Sequence, residues 1–236
     1  MIVPRYVPST DGVDVALHDL GGAGPTLLIS HATGFHGRCY LPLAGELADR
    51  FHSVAFDYRG HGDTLQPAEL APDWHRYGQD ALAVAEALDP PLAAFGHSMG
   101  GACLLMAAHR NPMLFSQLVL FEPIVFPTNF RDGSTEPSPL VEGARRRRST
   151  FPSFAAAIAN YSAKRPLNAF TPASLEAYVN HGFAKGSDGQ VHLKCRPAIE
   201  AATFELGGTH DTFDLLADIE VPVLVISGKL EINQPS

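Results

Sequence analysis

Short, continuous apolar runs recur along the chain at 26–30, 53–56, 92–95, 117–121 and 221–227. Runs of this length without polar alternation fit strands buried on both faces of a parallel sheet. Stretches of helical spacing separate them. Over 40–50, Leu43 and Leu47 point inward, and over 74–88, Tyr77, Ala81, Val84, Ala85 and Leu88 share one side. Asp89-Pro90-Pro91 closes the second stretch, since proline cannot continue a helix. The 92–95 run leads into a buried helix that extends to about Arg110, before Asn111-Pro112. At the N-terminus, Val13, Val15 and Leu17 alternate after the turn Ser9-Thr10-Asp11-Gly12, so residues 1–20 read as an irregular hairpin. Strand and helix therefore alternate as far as residue 122. That pattern predicts an α/β fold built on a mostly parallel, doubly wound sheet.

The alternation breaks at residue 123. Residues 124–212 contain no convincing apolar strand. A polar, proline-bearing loop covers 126–139, helical spacing returns at 140–149, 154–162, 172–182 and 199–206, and 185–189 reads as a tight turn. The expected organisation is a core of residues 1–122 and 213–236 with a helical cap inserted over 123–212.

Composition narrows the function classes. With 236 residues, of which 45% are apolar, the chain can bury one sizeable α/β core. Its net charge of -8 argues against nucleic acid and anionic membranes as partners. Cys39, Cys103 and Cys195 lack metal-ligand spacing, and an odd count is poor support for a disulfide framework. These features fit a reducing, cytoplasmic setting. The first residues lack the basic start and apolar run of a secretory leader, and no apolar stretch approaches the ~18 residues of a membrane span. A small-molecule substrate is the expected partner.

Candidate chemistry sits at the ends of the predicted strands, where open α/β sheets carry their sites. The 92–95 run passes into Gly96-His97-Ser98-Met99-Gly100 and then a helix. A serine at the tip of so sharp a turn has strained backbone angles, and side chains two positions either side would clash, hence Gly96 and Gly100. The hydroxyl then stands at the positive end of the following helix. The 26–30 run ends in His31-Ala32-Thr33-Gly34-Phe35-His36-Gly37, and the 53–56 run in Asp57-Tyr58-Arg59-Gly60-His61-Gly62-Asp63. In the latter, Asp57, Arg59 and Asp63 read first as ties for a glycine-rich loop. Arg145 to Arg148 on a helix point in all directions, so a solvated surface is their first reading.

These motifs, in this order and spacing, resemble the α/β-hydrolase superfamily, in particular its capped, esterase-like serine hydrolases. The resemblance implies that Ser98 attacks a carbonyl carbon while the backbone N–H groups of Met99 and Thr33 hold the oxyanion. It places His31, Phe35 and His97 at the substrate pocket, although His31 and His61 also read as loop-holding groups and His97 as structural. His36 is a further pocket candidate, and His210 a remote candidate base. No metal or cofactor is implied. The family's acid follows the strand that here is 221–227, which points to Glu231, with Glu122 as a second candidate. The family's histidine follows the next strand. This chain has 11 histidines, none in that position, so it is expected to be C-terminally truncated, lacking the last strand and helix.

The expected function is hydrolysis of a small ester or related carbonyl compound, with poor turnover in this chain because the base is missing. The alternatives are a non-catalytic member that binds a small ligand or a partner, and a cofactor-free haloperoxidase or C–C bond hydrolase. The unpaired 221–227 strand is expected to invite edge-to-edge self-association.

Overall fold

A computed structural model describes residues 4–67, 69, 71–127 and 138–228. Glu231 lies outside the described residues. The chain opens with an antiparallel pair, β1 (Arg5–Pro8) and β2 (Asp14–Gly22), and continues through β3 (Thr26–Ser30), α1 (Leu41–Glu46), β4 (His52–Asp57) and α2 (Trp74–Glu86). β5 (Leu92–His97), α3 (Met99–Arg110) and β6 (Phe115–Phe121) follow. The sheet is completed by β10 (Val223–Ile226), in the order β1-β2-β4-β3-β5-β6-β10. β2 pairs antiparallel with β4, and every later neighbour pair is parallel. The doubly wound, mostly parallel sheet predicted from the apolar runs is therefore present.

The two faces of this sheet are buried against different layers. Leu28, Val54, Phe56, Leu92 and Ala94 face Tyr77, Ala81, Val84, Leu104 and Leu105 of α2 and α3. Leu27, Ile29, Ala55 and Ala93, one residue out of phase, face the opposite cluster. Period-two alternation thus survives inside apolar runs that look uniform in sequence, because each face has its own helical cover. Cys39, Cys103 and Cys195 are free and buried.

Between β6 and β10 the insertion contains α4 (Pro139–Arg145), β7 (Thr150–Phe151), α5 (Phe154–Ser162) and α6 (Pro172–Gly182). β8 (Phe183–Lys185), β9 (Val191–Leu193) and α7 (Pro197–Glu205) complete it. It is not wholly helical: β7, β9 and β8 form a small antiparallel sheet in that order. Strands of two or three residues carry no readable period, which is why the pattern missed them. The turn joining β8 to β9 was legible: Gly186 N–H donates to Gln190 O at 2.8 Å, and Gly189 has φ +77°. The helix expected over 40–50 is shorter, ending at Glu46.

β10 pairs with β6 alone among the described residues. Its four apolar side chains are 40% to 58% exposed, a solvent-facing sheet edge. No helix of the described residues is long and apolar enough to cross a membrane.

Candidate active site

Ser98 is the first residue beyond β5 and precedes α3 directly. Its φ of 55° and ψ of −115° lie where side-chain-bearing residues are rarely found, the kind of strain that collects at functional sites. Local bonds hold it there. Ser98 N–H donates to Phe121 O at 2.9 Å, and Ser98 O accepts from Gly101 N–H at 3.0 Å and Ile124 N–H at 3.2 Å. The flanking glycines have the predicted reason. A Cβ on Gly100 would lie 2.2 Å from Ser30 O, and one on Gly96 would lie 2.7 Å from the Gly101 Cα. The Ser98 side chain is half-buried, and its hydroxyl has no hydrogen-bond partner among the described residues.

The loop after β3 faces this turn. Tyr40 Oη accepts the Ala32 N–H at 3.3 Å, and His61 Nε2 accepts the Gly34 N–H at 3.1 Å. Between them the Thr33 N–H meets no acceptor among the described residues, and neither does the N–H of Met99 at the start of α3. Two backbone donors thus lack acceptors among the described residues: Thr33 N–H in the loop after β3, and Met99 N–H beside Ser98 at an α-helix N-terminus that favours negative charge.

The histidines are accounted for individually. His31, expected at the pocket and also read as a loop-holding group, is fully buried and takes the second role. Its Nε2 accepts the Tyr58 N–H at 3.0 Å and its Nδ1–H donates to Ala32 O at 2.8 Å. Burial pushes its pKa down to about 3, so it stays neutral. His36 is likewise buried, bonded to Tyr178 O at 3.0 Å, and burial lowers it to about 4. His97 does stand at the site's edge, half-buried, with Nδ1 hydrogen-bonded to Tyr40 Oη at 2.9 Å. Burial lowers it to about 4, with Glu122 partly offsetting the effect. Phe35 packs edge-on against His97, with ring centroids 5.7 Å apart, and against Tyr178 at 5.4 Å. His210 is buried and stacked on Trp74 at 4.3 Å, away from the role of base. All 11 histidines fall among the described residues, and none hydrogen-bonds Ser98.

The carboxylates divide similarly. Asp57 is buried and accepts from His18 Nε2–H at 2.8 Å, Gly37 N–H at 2.7 Å and Asp63 N–H at 2.7 Å. Burial alone would raise its pKa, but the hydrogen bond and charge of His18 hold it far below the ordinary range. Arg59 grips Asp80 through Nε at 2.9 Å and Nη2 at 2.7 Å and reaches Asp11 at 2.8 Å. This cluster fixes the β4 loop, as its composition suggested. Glu122 has φ 48°. Its carboxylate accepts the Gly228 N–H and its own N–H donates to Ile226 O at 2.9 Å, tying the end of β10 beside the Ser98 turn.

The arginine run does not lie wholly in solvent. Arg145 and Arg146 pair with Glu142, and Arg148 lies 4.4 Å from the Phe151 ring centre. Arg147 instead turns inward to Glu200 at 3.1 Å and Tyr178 at 2.6 Å. Neither Glu200, buried at 2% exposure, nor Tyr178 was singled out in the sequence. A glutamate and a tyrosine inside short helices give no local signal of burial.

The family model described as "Alpha/beta hydrolase family" matches residues 27–232. The mouse (Mus musculus) monoglyceride lipase is 32% identical over 105 residues, covering 42% of this chain and 35% of that protein. The 2-(acetamidomethylene)succinate hydrolase of Mesorhizobium japonicum is 31% identical over 102 residues, covering 43% of this chain and 36% of that protein. These matches span about a third of the relatives' own length. The crystal structure of an E-2-(acetamidomethylene)succinate hydrolase superposes with a TM-score of 0.79 at 22% identity, covering 95% of this chain and 80% of that one.

Proposed function

Because this chain belongs to the alpha/beta hydrolase family, we propose that it is a serine hydrolase acting on a small ester or related carbonyl compound through Ser98. One observation carries this reading: an unpartnered serine hydroxyl on a strained turn at the end of a central strand, together with the unclaimed N–H groups of Met99 and Thr33. In this mechanism Ser98 Oγ attacks the carbonyl carbon, and the negative charge that develops on the carbonyl oxygen is received by those two N–H groups. Collapse of that adduct breaks the bond to the alcohol, which leaves carrying the proton given up by Ser98, and water then hydrolyses the acyl-enzyme and returns a proton to Ser98. Phe35, with His97 behind it, forms an apolar wall of the pocket, and the insertion over 123–212 acts as its cap. The cap would select the substrate, because the donors that read the reacting carbonyl are backbone groups and discriminate little.

The proton of Ser98 needs an acceptor. Glu231 is the proposed orienting acid, with Glu122 less suited because its carboxylate is already committed to Gly228. No histidine of this chain reaches Ser98, so turnover by these residues alone is expected to be slow. The test is labelling by a fluorophosphonate together with hydrolysis of p-nitrophenyl butyrate. Labelling of Ser98, lost in Ser98→Ala, supports the reading; absence of labelling and of turnover at any pH from 6 to 9 sinks it.

That no histidine hydrogen-bonds Ser98 favours one second reading, in which the same pocket binds a small ligand without turnover. That reading expects ligand-dependent thermal stabilisation that survives Ser98→Ala.

A further inference from the structure

α7 of the cap is seated on two core loops at once. Gly34 and Gly60 both have left-handed backbones, with φ +76° and +77°. The space that a Cβ would take at each is filled by successive residues of α7. A Cβ on Gly60 would meet Ile199 Cγ2 at 2.8 Å, and one on Gly34 would meet Glu200 Oε1 at 2.3 Å. One helical turn on, Thr203 anchors the helix to α2, accepting from Trp74 Nε1–H through its carbonyl at 3.1 Å and bonding Tyr77 Oη at 2.8 Å. α7 therefore cannot shift without disturbing both loops.

Polar contacts extend this seat across the cap. Glu200 Oε1 lies 3.1 Å from Arg147 Nη2, Arg147 Nη1 donates to Tyr178 Oη at 2.6 Å, and Tyr178 Oη–H donates to Gly34 O at 3.4 Å. The Tyr178 backbone carbonyl also accepts from His36. Gly34 is thus gripped on both sides of its Cα, its N–H by His61 and its carbonyl by Tyr178. The next amide, Phe35 N–H, closes back onto Ala32 O at 3.0 Å. These bonds leave the plane of the Thr33 peptide little freedom.

We propose that Glu200, Arg147 and Tyr178 are positioning residues that carry the docking of the cap to the Thr33 N–H, so that the oxyanion donor is aimed only while α7 is seated on Gly34. This rests on the reading of Thr33 given above. The relay is built for geometry more than for net stability. Glu200 Oε2 and Tyr161 Oη are buried without partners, an arrangement that costs free energy and that an apolar contact would avoid.

The test is hydrogen exchange on the full chain, followed in peptides covering residues 31–39 and, as a control, β5. Tyr178→Phe and Glu200→Ala are expected to speed exchange of the Gly34 and Phe35 amides about tenfold while β5 is unchanged. Glu200→Gln keeps the shape and an acceptor for Arg147, and is expected to retain loop protection within about twofold. Unchanged loop exchange in Tyr178→Phe overturns the proposal, as does faster exchange that rises equally in β5, which would mark general destabilisation. The fluorophosphonate labelling rate, measured on the same samples, is expected to fall in Tyr178→Phe and Glu200→Ala and to recover in Glu200→Gln. If the parent chain does not label, the hydrolase reading fails, and the exchange result still decides whether the cap holds the loop.

Discussion

The strain at Ser98 can be measured without any substrate. A non-glycine residue at φ 55°, ψ −115° costs about 1–3 kcal/mol. Ser98→Ala keeps the Cβ and therefore the strain. It removes only a hydroxyl that has no partner, so its stability should sit within about 0.5 kcal/mol of the parent. Ser98→Gly removes the Cβ and relieves the strain, but it also loosens the unfolded chain by about 0.4–1 kcal/mol. Subtracting the second from the first leaves Ser98→Gly more stable than Ser98→Ala by about 1 kcal/mol, which in a chain of 236 residues is roughly 2–4 °C in Tm. The assay is urea unfolding followed by the fluorescence of Trp74, the single tryptophan, buried against His210. The midpoint should rise from Ala to Gly with an unchanged slope. A glycine variant no more stable than the alanine variant, at the same slope, would refute the claim that the turn stores strain.

Three further outcomes are expected. Asp80 is fully buried and paired with Arg59, so Asp80→Asn should leave a buried guanidinium short of charge and cost about 3–5 kcal/mol, read as a fall in Tm; a loss under 1 kcal/mol would remove this pair from the list of groups that fix the β4 loop. Burial depresses His31 to about 3 and His36 to about 4 from 6.5; the unfolded chain then binds more protons, so stability should be full above pH 6.5 and decline as pH falls towards 4. Tm against pH should lose part of that slope in His36→Gln, and a flat wild-type profile over the window counts against buried neutral imidazoles. Leu224 and Val225, each 58% exposed on β10, should tolerate Leu224→Lys with Val225→Lys within about 0.5 kcal/mol, while light scattering shows reduced concentration-dependent association; unchanged scattering argues against edge pairing.

The core was legible because its signals are local. Runs such as Leu27 to Ile29 and Leu92 to Ala94 announce buried strands, and the glycines at 96 and 100 announce a turn too tight for side chains. That the Thr33 N–H has no acceptor among the described residues could not be read from the β3 loop motif, because the cause is non-local: Tyr40 and His61 accept the amides on either side. Of the two readings of His31, at the pocket or holding its loop, the second rests on its bonds, and the one to Tyr58 is equally non-local. A histidine at a strand end looks available until Tyr58 and Ala32 are seen to occupy both its nitrogens. The insertion between β6 and β10 was least legible. Its strands are too short for a period, and Arg147 looked like its three exposed neighbours until Glu200 and Tyr178, 53 and 31 residues away in sequence, were brought to it by folding.

This difference bears on how far the turn at Ser98 speaks for catalysis. Its conformation is set by Phe121 O on one side, by the Gly101 and Ile124 amides on the other, and by the close approach of Gly100 to Ser30. None of these contacts involves a proton acceptor. The strained serine would persist whether or not a base stood beside the hydroxyl, because the sheet and α3 impose it. Nucleophile geometry and nucleophile activation are thus separate properties of the fold: the first comes from backbone contacts around Ser98, and none of this chain's histidines hydrogen-bonds Oγ to supply the second. Under the proposed reading, a rate measured on this chain would report what positioning and oxyanion stabilisation achieve without a histidine base. Added imidazole, a soluble proton acceptor, is expected under that reading to raise the labelling of Ser98 and leave Ser98→Ala untouched.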